Sequence, residues 1–264
     1  MDLKIQGKTA FITGSTAGIG YATARALASE GVDVILNGRT ETKLQEAVQK
    51  LQREFPNNTI SGLCIDFSNT KQIEEQLGRL PEIDILVNNV GIYSSASFFE
   101  TKDSDWQQQF EVNVMSGVRL SKRILPNMLT NNWGRILFIS SECATLVPVD
   151  LISYSMTKTA ILAVSRGLAQ LTKGTGVTVN TIIPGSTLSE GAEQFLENAA
   201  QKEGKTKAQI ETSFFTEVRS SSLLQRFAKV DEIANTITYM ASSLSSATNG
   251  SAIKVDGGSM GGIL

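Results

Sequence analysis

Three side chains of this chain could do chemistry together: a tyrosine, a lysine and a serine. Tyr154 and Lys158 are four residues apart, so on a helix they share one face. An ammonium beside a phenol favours the phenolate, which predicts a pKa for Tyr154 below its ordinary value near ~10. Ser141 lies thirteen residues upstream, and its hydroxyl could hold a substrate oxygen. The set predicts proton transfer to or from a carbonyl oxygen.

A glycine-rich segment near the start of the chain predicts a dinucleotide site. Gly14, Gly18 and Gly20 lie within residues 13–20, between a predicted strand and a predicted helix. Glycines allow a pyrophosphate to approach the backbone N–H groups of a helix N-terminus. The alternative is a turn with a structural role only. No lysine follows the glycines, which excludes a P-loop. With the tyrosine, lysine and serine, the segment predicts hydride transfer at a carbonyl.

The end of the second predicted strand bears on the choice of cofactor. An acidic residue there would bind a ribose diol, whereas an arginine can pair with a 2′-phosphate. The chain has no acid in residues 37–40 and offers Arg39. We therefore expect NADP(H) rather than NAD(H). The alternative is that Arg39 is a solvated surface residue that at most stacks on adenine.

Other polar residues give weaker signals when taken alone. Asn88 and Asn89 follow the fourth predicted strand, and Asp66 follows the third, where α/β crevices bind ligands. By themselves, the paired asparagines indicate a turn and Asp66 a helix cap. Asn113 lies inside a predicted helix, where an asparagine more often faces solvent.

Composition excludes several classes of protein. The 264 residues carry a net charge of −2, which gives no electrostatic footprint for nucleic acid or an anionic membrane. No apolar run approaches the ~18 residues that span a bilayer, and the N-terminus lacks a secretory signal. We therefore expect a cytoplasmic enzyme.

Histidine and cysteine content restricts the chemistry further. The chain has no histidine, which excludes Ser-His-Asp triads and HExxH zinc sites. Cys64 and Cys143 are far apart in sequence and form neither a disulfide framework nor a cysteine metal site. We expect no metal and two small buried thiols.

Short apolar runs alternate with helical patterns along the whole chain. The predicted strands are residues 9–13, 34–37, 60–64, 83–88, 135–140, 177–183 and 251–255, and the clearest helices are 19–30, 41–55 and 154–173. This alternation indicates βαβ units. We predict an α/β fold: a Rossmann-like, doubly wound parallel sheet of about seven strands with helices on both faces, in one domain over residues 1–264.

One segment departs from this alternation. Residues 188–224 are polar and helix-prone, with Phe195 and Leu196 on one side of Gly204 and Phe214 and Phe215 on the other. Connections of this length within a domain are usually functional lids or disordered. We predict a substrate lid of two helices with a flexible join. The alternative is a fixed surface excursion.

The motifs together resemble one family, the short-chain dehydrogenases/reductases. The matching segments are TGxxxGxG at 13–20, NNxG at 88–91, Ser141, YxxxK at 154–158, Pro184-Gly185 and VDGG at 255–258. Two positions depart from the family pattern: Val90 replaces the usual alanine, and Ser189 stands where the family often has threonine. Thr187 precedes it by two residues, so either hydroxyl could contact the nicotinamide carboxamide.

The resemblance implies a role for each catalytic residue. Tyr154 would donate a proton to the carbonyl oxygen, and Ser141 would hydrogen-bond that oxygen. Lys158 would lower the pKa of Tyr154 and bind the nicotinamide ribose. Asn113, which by itself gives no functional signal, would hold a water molecule in a proton relay to Lys158. The predicted cofactor contacts are Gly14, Ser15, Thr16, Gly18, Ile19, Gly20, Arg39, Asp66, Asn89, Gly91, Tyr154, Lys158, Pro184, Gly185 and Thr187.

The sequence thus predicts an NADP(H)-dependent oxidoreductase acting on a small carbonyl or secondary alcohol. Reduction of 3-oxoacyl chains on a carrier protein is the alternative within the family. The only basic cluster for docking an acidic carrier is Lys202, Lys205 and Lys207. A third hypothesis is that the protein is a non-catalytic sensor that binds a dinucleotide. From the family habit of pairing two long helices, and from Ile161, Leu162, Leu168 and Leu171, we also expect a homotetramer or homodimer.

Overall fold

A seven-stranded sheet forms the centre of the chain in the computed structural model, which describes residues 1–262. Its strands are β1 (Thr9–Ile12), β2 (Asp33–Gly38), β3 (Ile60–Cys64), β4 (Ile85–Asn88), β5 (Gly134–Ile139), β6 (Val177–Pro184) and β9 (Ala252–Val255). Their order is β3-β2-β1-β4-β5-β6-β9, and every pair is parallel. The predicted Rossmann-like parallel sheet is confirmed.

Helices cover both faces of this sheet. They are α1 (Gly18–Ser29), α2 (Glu41–Glu54), α3 (Thr70–Leu77), α4 (Asp103–Phe110), α5 (Ser116–Thr130), α6 (Cys143–Leu146), α7 (Ile152–Leu171), α8 (Glu190–Glu203), α9 (Lys207–Ser213) and α10 (Val230–Met240). One hydrophobic cluster packs α1, α2 and α10 on one face. A second packs α3, α5 and α7 on the other. Because both faces are covered, the central strands are apolar runs.

The strand order reverses between β1 and β4. In open parallel sheets, ligands bind in the crevice at such a switch point, outside the carboxyl ends of the strands. The glycine-rich turn leaves the end of β1, and Asn88 and Asn89 stand at the end of β4. The fold therefore brings the two motifs to opposite sides of one crevice.

Residues 188–224 form two helices, as the sequence predicted, and carry a small apolar cluster of their own. Gly204 ends α8 with φ +64°, and the side chain of Thr206 begins α9 by accepting a hydrogen bond from the Gln209 amide. Leu196 and Phe215 are buried with Phe227 in this cluster. Two short strands, β7 (Thr187–Leu188) and β8 (Ala228–Lys229), pair in parallel and hold the two ends of the segment together.

No helix in residues 1–262 is long and apolar enough to cross a bilayer.

Candidate active site

The glycine-rich turn is held in shape by an asparagine at the end of β2. Gly14 has φ +60°, and its amide donates to Asn37 Oδ1 at 2.9 Å. The Asn37 amide nitrogen Nδ2 donates to the carbonyl oxygens of Leu63 and Ile65 at 3.1 and 3.3 Å. One buried side chain thus fixes the turn to the ends of β2 and β3. Because all these partners are remote in sequence, no local pattern singled out Asn37.

Gly20 permits the close approach of this turn to the end of β4. A Cβ on Gly20 would lie 2.4 Å from the Gly14 carbonyl oxygen and 2.6 Å from Asn89 Nδ2. That Asn89 nitrogen donates to the carbonyl oxygens of Thr13 and Gly14 at 2.9 and 3.0 Å. The two motifs that the sequence placed at strand ends are therefore bound directly to each other.

A cleft of about 330 Å³ lies at the ends of β2 and β3 and beside the turn. Five of the predicted cofactor residues line it: Gly14, Thr16, Arg39, Asp66 and Gly91. Arg39 is exposed and makes no salt bridge within residues 1–262. Asp66 Oδ1 accepts from the amide and hydroxyl of Ser68 at 2.9 and 2.7 Å, whereas Asn69 caps α3. The cleft offers a guanidinium and a carboxylate to the adenosine half of a dinucleotide.

A second cleft of about 450 Å³ contains the candidate catalytic groups. Its predicted members are Ile19, Asn89, Gly91, Ser141, Tyr154, Lys158, Pro184, Gly185 and Thr187, and Tyr93, Phe195 and Phe227 complete its walls. Gly91 lines both clefts, so they lie next to each other. Together the two clefts contain twelve of the predicted cofactor contacts.

Four predicted site residues do not line either cleft: Ser15, Gly18, Gly20 and Asn113. The Ser15 hydroxyl is fully buried, donates to the Ile12 carbonyl at 2.7 Å and accepts from the Asn37 amide at 2.9 Å. Its side chain therefore shapes the turn, and its backbone amide donates to the Asn37 carbonyl at 2.9 Å, so the predicted cofactor contact of Ser15 is not supported. Gly18, with φ +57°, is the first residue of α1.

Lys158 is held against the sheet by its charged end. Its side chain is 3% exposed, and Nζ donates to the Ile139 carbonyl at 2.9 Å. Nζ lies 5.5 Å from the centre of the Tyr154 ring. Burial lowers the pKa of Lys158 to about 8, since a buried ammonium loses its hydration. The spacing of the two residues on α7 thus places them side by side, as expected.

The pKa of Tyr154 shifts opposite to the sequence expectation. Burial of the phenol raises its pKa above the ordinary value, and a hydrogen bond with Ser141 only partly opposes this. The expected lowering by Lys158 was wrong for this structure because desolvation dominates and the ammonium faces Ile139. The phenol of Tyr154 is therefore protonated at neutral pH and is a weaker acid than an exposed tyrosine.

The Ser141 hydroxyl stands beside this phenol. Its oxygen accepts a hydrogen bond from the Cys143 amide at 3.2 Å. That bond leaves the hydroxyl hydrogen available to a further acceptor. Tyr93, two residues after the NNxG motif, places its ring centre 5.8 Å from that of Tyr154. Sequence reasoning did not select Tyr93, although its place after a strand end was a usable signal.

Asn113 lies in a π-helical turn, Glu111–Met115, between α4 and α5. It is 4% exposed, so the solvent-facing reading was wrong. Its Oδ1 accepts from the Ile92 amide at 2.7 Å, and its Nδ2 donates to the Ile92 carbonyl and Thr157 Oγ1 at 2.9 and 3.0 Å. A Cβ on Gly91 would lie 3.3 Å from Lys158 Nζ and 3.6 Å from Asn113 Oδ1. Asn113 and Lys158 therefore face each other across Gly91.

Within residues 1–262, no group of three or more Cys, Asp or Glu side chains is arranged to hold a metal ion. The side chains that line the two clefts offer hydroxyls, the phenols of Tyr93 and Tyr154, the amine of Lys158, the guanidinium of Arg39 and the carboxylate of Asp66.

Taken together, a doubly wound parallel sheet with a dinucleotide groove and a Tyr-Lys-Ser cluster defines a nucleotide-dependent oxidoreductase. The family model for short chain dehydrogenases matches residues 8–200. The chain belongs to the short-chain dehydrogenase family of oxidoreductases.

Two relatives and one solved structure illustrate the similarity. An uncharacterized oxidoreductase of Bacillus subtilis, YvaG, is 45% identical, with 98% of each chain covered. The 3-oxoacyl-[acyl-carrier-protein] reductase FabG of Aquifex aeolicus is 31% identical over 98% of this chain and 99% of its own. L-sorbose reductase from Gluconobacter frateurii, solved with NADPH and L-sorbose, is 30% identical and superposes over 100% of both chains with a TM-score of 0.93.

Proposed function

We propose that this protein reduces a small polar ketone to a secondary alcohol with NADPH. The observation that carries the proposal is the meeting of Ser141, Tyr154 and Lys158 in one cleft, next to the cleft beside the glycine-rich turn. The bound dinucleotide supplies the hydride. The reverse oxidation uses the same groups.

In the proposed mechanism, the chain positions the carbonyl and supplies the proton. Ser141 donates a hydrogen bond to the carbonyl oxygen and stabilises the negative charge that develops there. Tyr154 gives its proton to the same oxygen as negative charge develops there; burial raises its pKa, which keeps the phenol protonated until then but makes it a weaker acid. Lys158, with a pKa of about 8, exchanges protons near neutral pH and would replace the proton that Tyr154 gives up, through a water molecule held near Asn113.

The carboxamide contact is assigned to Thr187 rather than Ser189. Both residues line the cleft. The Ser189 oxygen caps α8 by accepting from the Ala192 amide at 3.4 Å, so it is committed to that helix. Thr187 Oγ1 donates to the Gly185 carbonyl at 2.8 Å and keeps its lone pairs for an amide donor.

Arg39 is proposed to select NADPH over NADH. A charge-assisted contact between guanidinium and phosphate contributes ~1.5–3 kcal/mol. Arg39→Ala is therefore expected to weaken NADPH binding about ten- to a hundredfold and to leave NADH binding nearly unchanged. Nicotinamide fluorescence titration measures both affinities. Arg53→Ala, which removes another exposed arginine, from α2, is the control. A wild-type preference for NADH would contradict the assignment.

A small polar ketone is favoured over an acyl chain on a carrier protein. The cleft walls carry the hydroxyls of Ser141, Ser186, Thr187 and Ser189, which suit a hydroxylated substrate. The basic cluster that would dock an acidic carrier is largely neutralised, because Lys205 pairs with Glu203 at 2.8 Å and Lys207 pairs with Glu197. The solved reductase complex with NADPH and L-sorbose points to the same substrate class.

The proposal is tested by following NADPH oxidation with a panel of carbonyl compounds. L-sorbose, 5-ketogluconate and acetoacetyl-CoA represent a ketose, a keto acid and an acyl thioester. Turnover of the first two above the third supports the proposal. Preference for the thioester would favour the carrier-protein alternative, and NADPH binding without any turnover would favour the sensor.

An apolar groove between α5 and α7 is the proposed contact between copies of this chain. It has a volume of about 380 Å³ and is lined by Val118, Leu125, Leu129, Val164, Leu168 and Leu171 among others. Leu171 is 64% exposed. Ile161, which the sequence suggested as surface, is instead buried in the core. The remaining apolar face is typical of a symmetric contact.

Light scattering at micromolar concentration is expected to give the mass of a tetramer or dimer. Leu168→Asp should lower that mass, since it places a charge in the apolar groove. A monomeric wild-type protein would contradict the proposed contact.

Residues 188–224 are proposed to close over the substrate. Phe195 of α8 is 54% exposed and lines the cleft, so movement of α8 changes the cleft wall. Closure would exclude water and strengthen the polar contacts of Ser141 and Tyr154. Hydrogen exchange in this segment is expected to slow when NADPH and ketone are added together. Unchanged exchange would indicate a static element.

A further inference from the structure

A buried glutamate stands directly after the candidate catalytic serine. The Glu142 side chain is 4% exposed. Its Oε1 accepts from Arg219 Nε at 2.7 Å and from Ser186 Oγ at 3.0 Å. Its backbone amide donates to the Pro184 carbonyl at 2.9 Å. Glu142 therefore joins the Ser141 loop, the end of β6 and an arginine 77 residues away in sequence.

Arg219 carries this connection into the cleft wall. It follows the π-helical turn Phe214–Val218 and is 13% exposed at its side chain. Its guanidinium lies 5.8 Å from the centre of the Phe214 ring. Phe214 stacks on Phe227 with ring centres 5.0 Å apart and an interplanar angle of 23°. Because Phe227 lines the cleft, this series of contacts reaches the cleft wall.

The Glu142–Arg219 ion pair differs in burial and in sequence separation from the other ion pairs of the 188–224 segment. Lys205–Glu203 and Lys207–Glu197 join exposed residues of the same segment, and such pairs contribute little to stability. Glu142–Arg219 is buried and joins two separate parts of the site. Breaking one partner of a buried pair leaves an uncompensated charge.

The second oxygen of the Glu142 carboxylate is unusual. Oε2 is buried and has no hydrogen-bond partner within residues 1–262. Native proteins leave few buried polar atoms unsatisfied, and a carboxylate held only for structure would be expected to use both oxygens. The side chains and backbone of residues 1–262 therefore use only one of the two oxygens of the Glu142 carboxylate.

We infer that the Glu142–Arg219 ion pair positions the cleft wall of residues 214–227 against the Ser141 loop and so sets the affinity for the ketone. The inference rests on the proposed function for the identity of the substrate. Neither residue lines the cleft, so both are positioning residues that act through Ser186 and Phe227. The adenosine half of the cofactor is proposed to bind in the other cleft, which neither residue lines, so we expect the affinity for NADPH to change less than the affinity for the ketone.

The test compares Glu142→Gln, Arg219→Ala, the double variant and Arg219→Lys. Glu142→Gln and Arg219→Ala each remove a charge-assisted hydrogen bond, and we expect each to raise the KM for the ketone about tenfold or more. We expect kcat and NADPH affinity to change far less. Because the residues act as a unit, the double variant is expected to be no worse than either single one. Arg219→Lys, which keeps the charge and a donor, is expected to restore most of the affinity.

Glu197→Gln is the matched control, since it breaks an exposed ion pair of the same segment. Hydrogen exchange of residues 214–224 is measured for every variant in the presence of NADPH. Faster exchange in Glu142→Gln but not in Glu197→Gln supports the inference. Unchanged exchange and KM in Glu142→Gln, or additive effects in the double variant, would overturn it. If wild type reduces no ketone, the proposed function fails, and the exchange comparison still decides the role of the pair.

Discussion

Replacing Tyr154 with phenylalanine is expected to lower turnover about a hundred- to ten-thousandfold, the range that a positioned general acid contributes. The change removes only the phenolic hydroxyl. The ring still packs beside Tyr93 and Lys158. Fold and NADPH affinity are therefore expected to remain close to those of the wild type.

The measurement is kcat at saturating NADPH with the best ketone of the panel, together with NADPH fluorescence titration. Tyr239→Phe is the control, because Tyr239 is 44% exposed and lies on α10, away from both clefts. A Tyr154→Phe variant that keeps most of its turnover would place the proton donor on another group.

Replacing Lys158 with methionine is expected to abolish turnover and yet to make the free protein more stable at pH 7. Burial holds the pKa of Lys158 at about 8, below its ordinary 10.5. Each unit of that difference corresponds to about 1.36 kcal/mol, so the ammonium costs the folded state up to about 3 kcal/mol. Loss of the hydrogen bond to the Ile139 carbonyl offsets part of this gain. We expect a net increase of about 1–2 kcal/mol in the free energy of unfolding.

The stability difference is also expected to depend on pH. Between the folded pKa of about 8 and the ordinary 10.5, the unfolded chain binds the proton and the folded chain does not. The wild-type free energy of unfolding therefore gains from this group as pH rises through that window, and the methionine variant does not. Urea unfolding at pH 7 and pH 10, without NADPH, measures the difference. A variant that is less stable at pH 7, or a difference independent of pH, would contradict the buried-ammonium account.

The central sheet could be predicted from sequence because buried parallel strands appear in it as short apolar runs. The third predicted strand, 60–64, has the observed bounds of β3, and the predicted helix 41–55 ends one residue beyond α2. The pair of β7 and β8 was not predicted. Each has two residues, too few to show a period, and their pairing depends on how the segment between them folds back.

Parts of the candidate site depend on distant partners and could not be predicted locally. Asn113 contacts Ile92 and Thr157, which are 21 and 44 residues away. The neighbouring residues in the sequence show neither contact, and the helical pattern alone therefore predicted an exposed side chain. The burial of the Glu142 carboxylate as an ion pair depends on Arg219, which lies 77 residues further along the chain. To predict the direction of the pKa shift of Tyr154, one must know how deeply the phenol is buried as well as its spacing from Lys158.

The π-helical turn at Glu111–Met115 makes the site sensitive to chain length as well as to side-chain identity. A regular α-helix turns by about 100° and rises 1.5 Å for each residue, whereas a π-turn accommodates one residue more. Deleting a single residue here would leave a continuous α-helix in place of α4, the turn and α5. It would also rotate Asn113 by about a quarter-turn relative to Ile92 and Thr157. Among relatives, a one-residue gap at this point would therefore change the geometry around Lys158 even if every residue of the Tyr-Lys-Ser set were retained.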